Sequence, residues 1–367
     1  MAKKFGAAPN KVRAYLFHNR PGLITIRPAH RQAAPTRPSG FLFPDLPKPL
    51  MTLASLPAAF ADRLTRILPA HQLPGVLASF AAVKDVAFRI NTLKADPDRV
   101  LTALRAAGLA PRPVSWSPLA WVLPAADKRA LTETPAFYAG EIYIQNLASQ
   151  LAPWVLDPQP GEMVLDLAAA PGGKTCQMAA MMANQGQISA VEPVRDRYFR
   201  LKNNLEQQGV SIARTYQKDG RAVGALVPER FDRVLLDAPC SSEARFDLND
   251  ASSMAHWSPA KVREVAHKQK RLLLSAIHAL KPGGVLVYST CSFAPEENEC
   301  ILNATLRSLG DAVQLEAVSL PVAHQPGLTE WDGKALNPAV AHSVRVLPDA
   351  LIDGFFLARL VKLQSTR

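Results

Sequence analysis

The sequence predicts an α/β protein, a doubly wound parallel sheet preceded by a smaller α/β domain, and three observations predict it. From residue 141 onward, short apolar runs alternate with helical patterns, as strands joined by helical crossovers do. The runs are almost continuously apolar, which suits strands buried on both faces. A stretch of small residues lies where the first run meets the first helix, and open parallel sheets bind ligands at such strand ends.

Leu56 to Leu64 begins a helical pattern, and Val86-Ala87-Phe88-Arg89-Ile90-Asn91 alternates like a strand. Asp98 to Gly108 is an expected helix, with Val100, Leu101, Leu104 and Ala107 on one face and Gly108 as its stop. Trp121-Val122-Leu123 is a short strand. These place a small domain at 52–140. In the domain expected at 141–367, Met163 to Leu167, Ile188 to Glu192, Phe231 to Asp237 and Val285 to Thr290 are strands. Between them, helices are expected over Lys174 to Asn184, Arg195 to Gln208 and Pro259 to Leu280. Val262, Val265, Ala266, Leu273, Ala276, Ile277 and Leu280 share one face of the long helix. Phe355 to Leu360 is a last strand.

The 367 residues, 48% hydrophobic and 20% charged, afford a large core and exclude global disorder. No apolar run reaches the length of a membrane span. Four cysteines without a CxxC pair exclude a disulfide scaffold and speak against structural zinc; no metal is expected. The net charge of +11 is concentrated. Residues 1–50 hold nine basic side chains, one acid and eight prolines, and read as a disordered basic arm. A solvated tail, a chain start at Met51, a phosphate-touching arm and a targeting segment all fit it. The remaining chain is nearly neutral.

The first parallel strand runs into Ala168-Ala169-Ala170-Pro171-Gly172-Gly173-Lys174-Thr175. Small residues let the backbone approach a ligand, and the following helix offers unpaired N–H groups to a carboxylate. Glu192 ends the next strand, where a carboxylate can accept ribose hydroxyls. The glycines of a P-loop and of a dinucleotide fingerprint are both missing. Asp166 would repel a pyrophosphate but suits an amino group. A ligand with adenosine, carboxylate and amino group but no phosphate is S-adenosylmethionine. A plain glycine turn between strand and helix is the alternative.

Two cysteines follow strands of the same sheet, in Asp237-Ala238-Pro239-Cys240-Ser241-Ser242 and Ser289-Thr290-Cys291-Ser292-Phe293. A buried inert thiol is the usual fate of one cysteine, and that reading stands for Cys176 and Cys300 on expected helices. Beside a cofactor, a thiolate has a use. Carbon 5 of a pyrimidine is a poor nucleophile, and covalent attack at carbon 6 makes it enamine-like and able to accept a methyl group. A carboxyl group near ring N3 would stabilise the adduct, and Asp237 is placed for that. Glu296, Glu297 and Glu299 stand close in sequence to Cys291 and would disfavour its thiolate, unless Pro295 opens a helix that turns them away.

With these residues the chain resembles the Sun/Fmu-type (NSUN) family of RNA cytosine-5 methyltransferases. The resemblance covers roughly residues 52–363. It rests on Phe88 to Lys94, Ile144 to Ser149, Asp166 to Thr175, Asp237 to Ser241, Lys281 to Gly284 and Ser289 to Asn298. It implies a class I methyltransferase, Rossmann-like sheet behind an RRM-like, RNA-binding N-terminal domain. It implies Cys291 as the nucleophile and Cys240 as the residue that helps release the product. It also implies that Ala168, Ala169, Ala170, Pro171, Gly172, Gly173, Lys174, Glu192, Asp219 and Asp237, with Arg197 as a further contact, line the S-adenosylmethionine site. The family often has Cys at Ala168, and usually Gly where Ser242 stands. RNA is the expected partner: rRNA is favoured on the resemblance, with tRNA, or a non-catalytic role in ribosome assembly, as alternatives. Lys261, Arg263, Lys268, Lys270 and Arg271, near His256, Trp257 and His267, form either a phosphate track or a solvated helix face. The base must be unpaired or flipped out. A monomer in the cytoplasm is expected.

Overall fold

An alternating pattern and a set of continuous apolar runs lead to two different sheets. The structure, a computed structural model, describes residues 53–366; the arm expected at 1–50 lies outside the described residues. Helices α1 (Ala58–Ile67) and α2 (Leu73–Ala81) come first. Strands β1 (Val86–Ile90), β2 (Arg112–Val114), β3 (Ser117–Leu123) and β4 (Ile142–Ile144) then form an antiparallel sheet in the order β2-β3-β1-β4. Helix α3 (Pro97–Ala106) joins β1 to β2, and the short α4 (Lys128–Thr132) and α5 (Pro135–Tyr138) join β3 to β4. This is the strand order of an RRM-like domain. Helix α3 starts where it does because Pro97 fills its first position and Asp96 accepts the N–H groups of Asp98 and Arg99.

The period-two pattern of β1 is explained by two different burials. Val86, Phe88 and Ile90 pack against Val100, Leu101 and Leu104 of α3. Ala87 faces the other way, with Ala120 and Val122, onto Leu147, Ala148 and Leu151 of α6 (Leu147–Leu156). Both faces of β1 are therefore covered. The sheet also takes its edge strand β4 from beyond the boundary expected at residue 140.

The large sheet has β5 (Met163–Asp166), β6 (Gln187–Val191), β7 (Ala213–Tyr216), β8 (Phe231–Asp237) and β9 (Leu280–Thr290) as parallel strands in the order β9-β8-β5-β6-β7. Helices α7 (Gly173–Met181), α8 (Arg195–Gln207), α9 (Val223–Leu226), α10 (Pro259–Ala279) and α11 (Glu299–Leu309) complete the layers. Alternation along each strand feeds two cores. Leu165, Val234, Leu236 and Leu286 meet α10 and α11, while Val164, Leu235 and Val287 meet α6 and α7.

The expectation of a parallel sheet needs correction, because the sheet is mixed. It also holds β10 (Val313–Glu316), β11 (His324–Pro326), β14 (Val344–Val346) and β15 (Phe355–Lys362) as antiparallel strands beside β9. Strands β12 (Glu330–Trp331) and β13 (Lys334–Ala335) pair separately. Hydrophobic patterns mark a strand but not its direction. Lys281-Pro282-Gly283-Gly284 lies inside β9 as a bulge, since Phe231 pairs with Leu280 and Arg233 with Val285. No helix among the described residues is long and apolar enough to cross a membrane.

Candidate active site

Three neighbouring strands end in the residues singled out above. In the order β9-β8-β5-β6, strand β5 leads into Ala168 to Lys174, β8 into Asp237 to Cys240, and β9 into Cys291. Strand order reverses between β5 and β8, and ligands bind at such a switch point, beyond the carboxyl ends of the strands.

On the β5 side, Gly172 takes a left-handed φ of 112°, and a Cβ on Gly173 would lie 2.8 Å from the Tyr143 ring. Only glycine fits this close turn. Arg197 donates to the Ala170 carbonyl at 2.9 Å and stands 3.5 Å from Glu192, so it braces the loop. Glu192 is buried at the end of β6 and accepts the Val194 N–H at 2.9 Å. Asp219 follows β7 and binds Arg221 through both oxygens; that guanidinium holds its carboxyl below the usual range. Asp166, by contrast, is buried and accepts the Thr175 hydroxyl at 2.7 Å, and burial pushes it up to about 6. The glycine cradle, the start of α7 and the acids Glu192 and Asp219 suit a nucleoside bearing an amino acid.

Lys174 links this side to the reacting side. Its Nζ lies 2.6 Å from Asp237 Oδ2 and 2.6 Å from Ser149 Oγ. Ser289 donates to the other Asp237 oxygen at 2.8 Å. Asp237 is thus held at both oxygens.

Cys240 and Cys291 lie with their sulfurs 3.1 Å apart. The hydrogen bond from Cys240 lowers the Cys291 pKa against the opposing effect of burial, and the Arg245 guanidinium and Ser242 hydroxyl add to the lowering. The same contact, with burial, raises Cys240. Cys291 is the thiol poised to ionise. Cys176 and Cys300 are pushed up to about 12 by burial, as inert thiols are.

The three glutamates after Cys291 separate. Pro295–Glu297 is a short 3₁₀ turn and α11 begins only at Glu299. Glu296 pairs with Arg63 and Glu299 with Arg345. Of the three, Glu297 is the one that reaches between the thiol loops, to the Ser241 N–H at 3.0 Å and the Ser292 hydroxyl at 2.9 Å.

Sequence reading missed Ser149, Ser242, Glu243, Arg245 and Ser289. Ser242 carried a signal: it occupies a left-handed position, φ 61°, where the family has glycine, and its hydroxyl lies 3.7 Å from the Cys291 sulfur. Trp257 was grouped with the basic track. Instead it packs on Phe60 and Phe246 and donates to Glu243 at 2.8 Å. Along α10, Lys261 and Lys268 both pair with Glu264, while Arg263, Lys270 and Arg271 are exposed.

Sheet order, the glycine-rich turn after β5 and the acid ending β6 define the class I methyltransferase fold. Residues 153–361 match the family model described as 16S rRNA methyltransferase RsmB/F, and residues 56–147 match the N-terminal domain of 16S rRNA methyltransferase RsmF. The chain belongs to the RsmB/F family. It is 37% identical over 315 residues to ribosomal RNA small subunit methyltransferase F of Vibrio campbellii, covering 84% of this chain and 64% of the relative. To the protein of that name from Vibrio vulnificus it is 39% identical, covering 84% and 65%. The chain thus spans just under two thirds of the length of these relatives. A solved structure, a methyltransferase homologue from Pyrococcus horikoshii, superposes with a TM-score of 0.74 at 33% identity, covering 86% of this chain and 100% of that one.

Proposed function

We propose that the protein transfers a methyl group from S-adenosylmethionine to carbon 5 of cytosine in ribosomal RNA. The observation that carries this reading is the pair of thiols at neighbouring strand ends, one poised to ionise, beside a carboxylate fixed at both oxygens. The names of the relatives support ribosomal RNA of the small subunit as the substrate.

S-adenosylmethionine, when bound, supplies the electrophilic methyl group. Ala168 to Lys174, Glu192, Asp219 and Asp237 would hold it, with Arg197 bracing the loop. The Cys291 thiolate adds to carbon 6 of the ring, so that carbon 5 becomes nucleophilic. Asp237, kept in place by Lys174 and Ser289, would hydrogen-bond at ring N3 and stabilise the adduct. Once carbon 5 has taken the methyl group it loses its proton to solvent, the carbon 5–carbon 6 double bond re-forms, and the carbon–sulfur electrons return to Cys291 as thiolate, a release that Cys240 assists. The base enters unpaired or flipped out, because a stacked ring is beyond a thiol's reach. Exposed Arg263, Lys270 and Arg271 on α10 suit phosphates flanking it. The protein acts as a monomer in the cytoplasm.

Bisulfite sequencing of total RNA from cells with and without the gene tests this reading. A cytosine in small-subunit rRNA that loses its protection is the expected result. Loss in tRNA alone would move the substrate, and unchanged RNA would leave a non-catalytic role in ribosome assembly.

A further inference from the structure

The two cysteine loops are tied together by a buried network that the mechanism above does not use. Glu243 and Glu297 are both buried, and the Ser292 hydroxyl lies between them. Its oxygen is 3.1 Å from Glu243 Oε2 and 2.9 Å from Glu297 Oε1. Ser292 adjoins Cys291. Ser241 adjoins Cys240, approaches the Ser292 hydroxyl at 3.1 Å and donates its N–H to Glu297 at 3.0 Å. Gln269 of α10 bonds both Glu297 and the Pro239 carbonyl at 2.9 Å.

A serine hydroxyl has one proton to give. If both glutamates were ionised, it could satisfy only one of them. The other contact would set two lone-pair oxygens about 3 Å apart in a buried site, at the full cost of an unmade hydrogen bond. Each glutamate takes two further N–H donors, Glu243 from Trp257 and Phe293 at 2.8 Å and Glu297 from Ser241 at 3.0 Å and Gln269 at 2.9 Å. The pair therefore shares one proton across Ser292, and burial, which pushes Glu243 further up than Glu297, places it on Glu243 Oε2. The Ser292 proton then goes to Glu297.

We propose that Glu243 is a positioning residue that stays protonated and, through Ser292 and Glu297, locks the Cys240 and Cys291 loops into register. Burial first, and then the negative charge of Glu297, pushes its carboxyl up to about 7. The other charged and titratable groups around it are Arg63 of α1, which already pairs with Glu296, Arg245 on its own turn, and the two thiols beyond Ser292. Ionisation of Glu243 removes the bond to Ser292 and sets two carboxylates across one hydroxyl. The loops then lose the clamp that holds the sulfurs together. This role rests on the methyltransferase reading only for its effect on rate.

Infrared titration of the whole protein tests the proton directly and needs no RNA. The difference spectrum, wild type minus Glu243→Gln, should show a carboxylic acid band at pH 6 that is gone by pH 8.5, the Asp166 carboxyl being common to both proteins. A band that the substitution leaves unchanged would overturn the proposal. The second arm is the pH dependence of methyl transfer to total rRNA. Above the Glu243 pKa the wild-type rate should fall by about tenfold per pH unit. Glu243→Gln has no charge to gain and should lose that alkaline limb; its rate at pH 6 should be lower than wild type, because its amide nitrogen cannot both donate to Ser292 and accept the Phe293 N–H. An identical limb in the variant would refute the role. Ser292→Ala removes the bridge without changing charge, so the clamp is absent at every pH and the rate should be low and without the Glu243 limb; a wild-type rate and limb in this variant count against the proposal. If neither protein methylates RNA but the Glu243 band is present, the functional reading fails and the protonated clamp stands.

Discussion

A thiol becomes a nucleophile through what its neighbours donate to it. Cys291 receives a hydrogen bond from Cys240 and feels Arg245 and Ser242, and together these oppose the burial that would keep it protonated. Cys291→Ala should abolish transfer of labelled methyl to rRNA while leaving cofactor binding by calorimetry intact; retained turnover would remove it from the nucleophile role. Cys240→Ala should accumulate a covalent protein–RNA adduct on a denaturing gel, because the release step loses its helper. Ser242→Gly separates chemistry from strain. Glycine accepts φ 61° freely, so stability should stay within about 1 kcal/mol, but without the hydroxyl, alkylation of Cys291 by iodoacetamide at pH 7 should slow several-fold. Equal alkylation rates would show that the hydroxyl does not act on the sulfur.

At the scale of elements, strand ends bring the chemistry together and ion pairs hold the loops beyond them. Arg345 of β14 binds Glu299 at the start of α11 through two nitrogens, at 2.6 and 2.5 Å, and also donates to the Phe293 carbonyl at 2.8 Å. Both side chains are buried. Arg345→Met would leave the Glu299 carboxylate without its partner, and a loss of about 3–5 kcal/mol is expected in urea unfolding. Adding Glu299→Gln should restore most of it. If the single variant were as stable as the wild type, the pair would have no structural role. This contact was beyond the sequence for a specific reason: residues 299 and 345 are brought together by the antiparallel strands after β9, and no periodic pattern announced most of those.

Across the whole molecule, the first helices close over the last loops. Phe60 of α1 packs edge-on against Phe246 at 4.9 Å and Trp257 at 5.6 Å, and tilted to Phe293 at 6.4 Å. Phe246 follows the Cys240 loop and Phe293 follows Cys291, so an N-terminal side chain supports both thiols. Phe60→Ala should cost about 3–5 kcal/mol in urea unfolding and lower methyl transfer in parallel. Full activity at reduced stability would uncouple the two. Asp166 gives the fold a pH dependence. Its carboxyl is raised from 3.8 to about 6 by burial, so the folded state holds its proton longer than the unfolded chain. That contribution is fully present below about pH 4 and is lost as pH rises through 6. Relative to Asp166→Asn, the wild type should lose about 2–3 kcal/mol between pH 4 and 6.5, read from melting curves of both proteins; parallel curves would show that the carboxyl ionises normally.

By itself the sequence marked strands β5, β6, β8 and β9, though not the edge strand β7, and it placed the loop from Ala168 to Lys174, Glu192 and both cysteines at strand ends. Each of these follows from local pattern: apolar runs make buried strands, and the residues that end them reach the same edge of the sheet. The tertiary structure alone decided the partners. It turned Glu296 and Glu299 to Arg63 and Arg345, aimed Glu297 between the two thiol loops, covered both faces of β1, and set Ser242 beside Cys291 and Glu243 against Ser292. Hydrogen bonds and ion pairs act over about 3 Å between residues that lie far apart along the chain, and hydrophobic periodicity carries no record of those meetings.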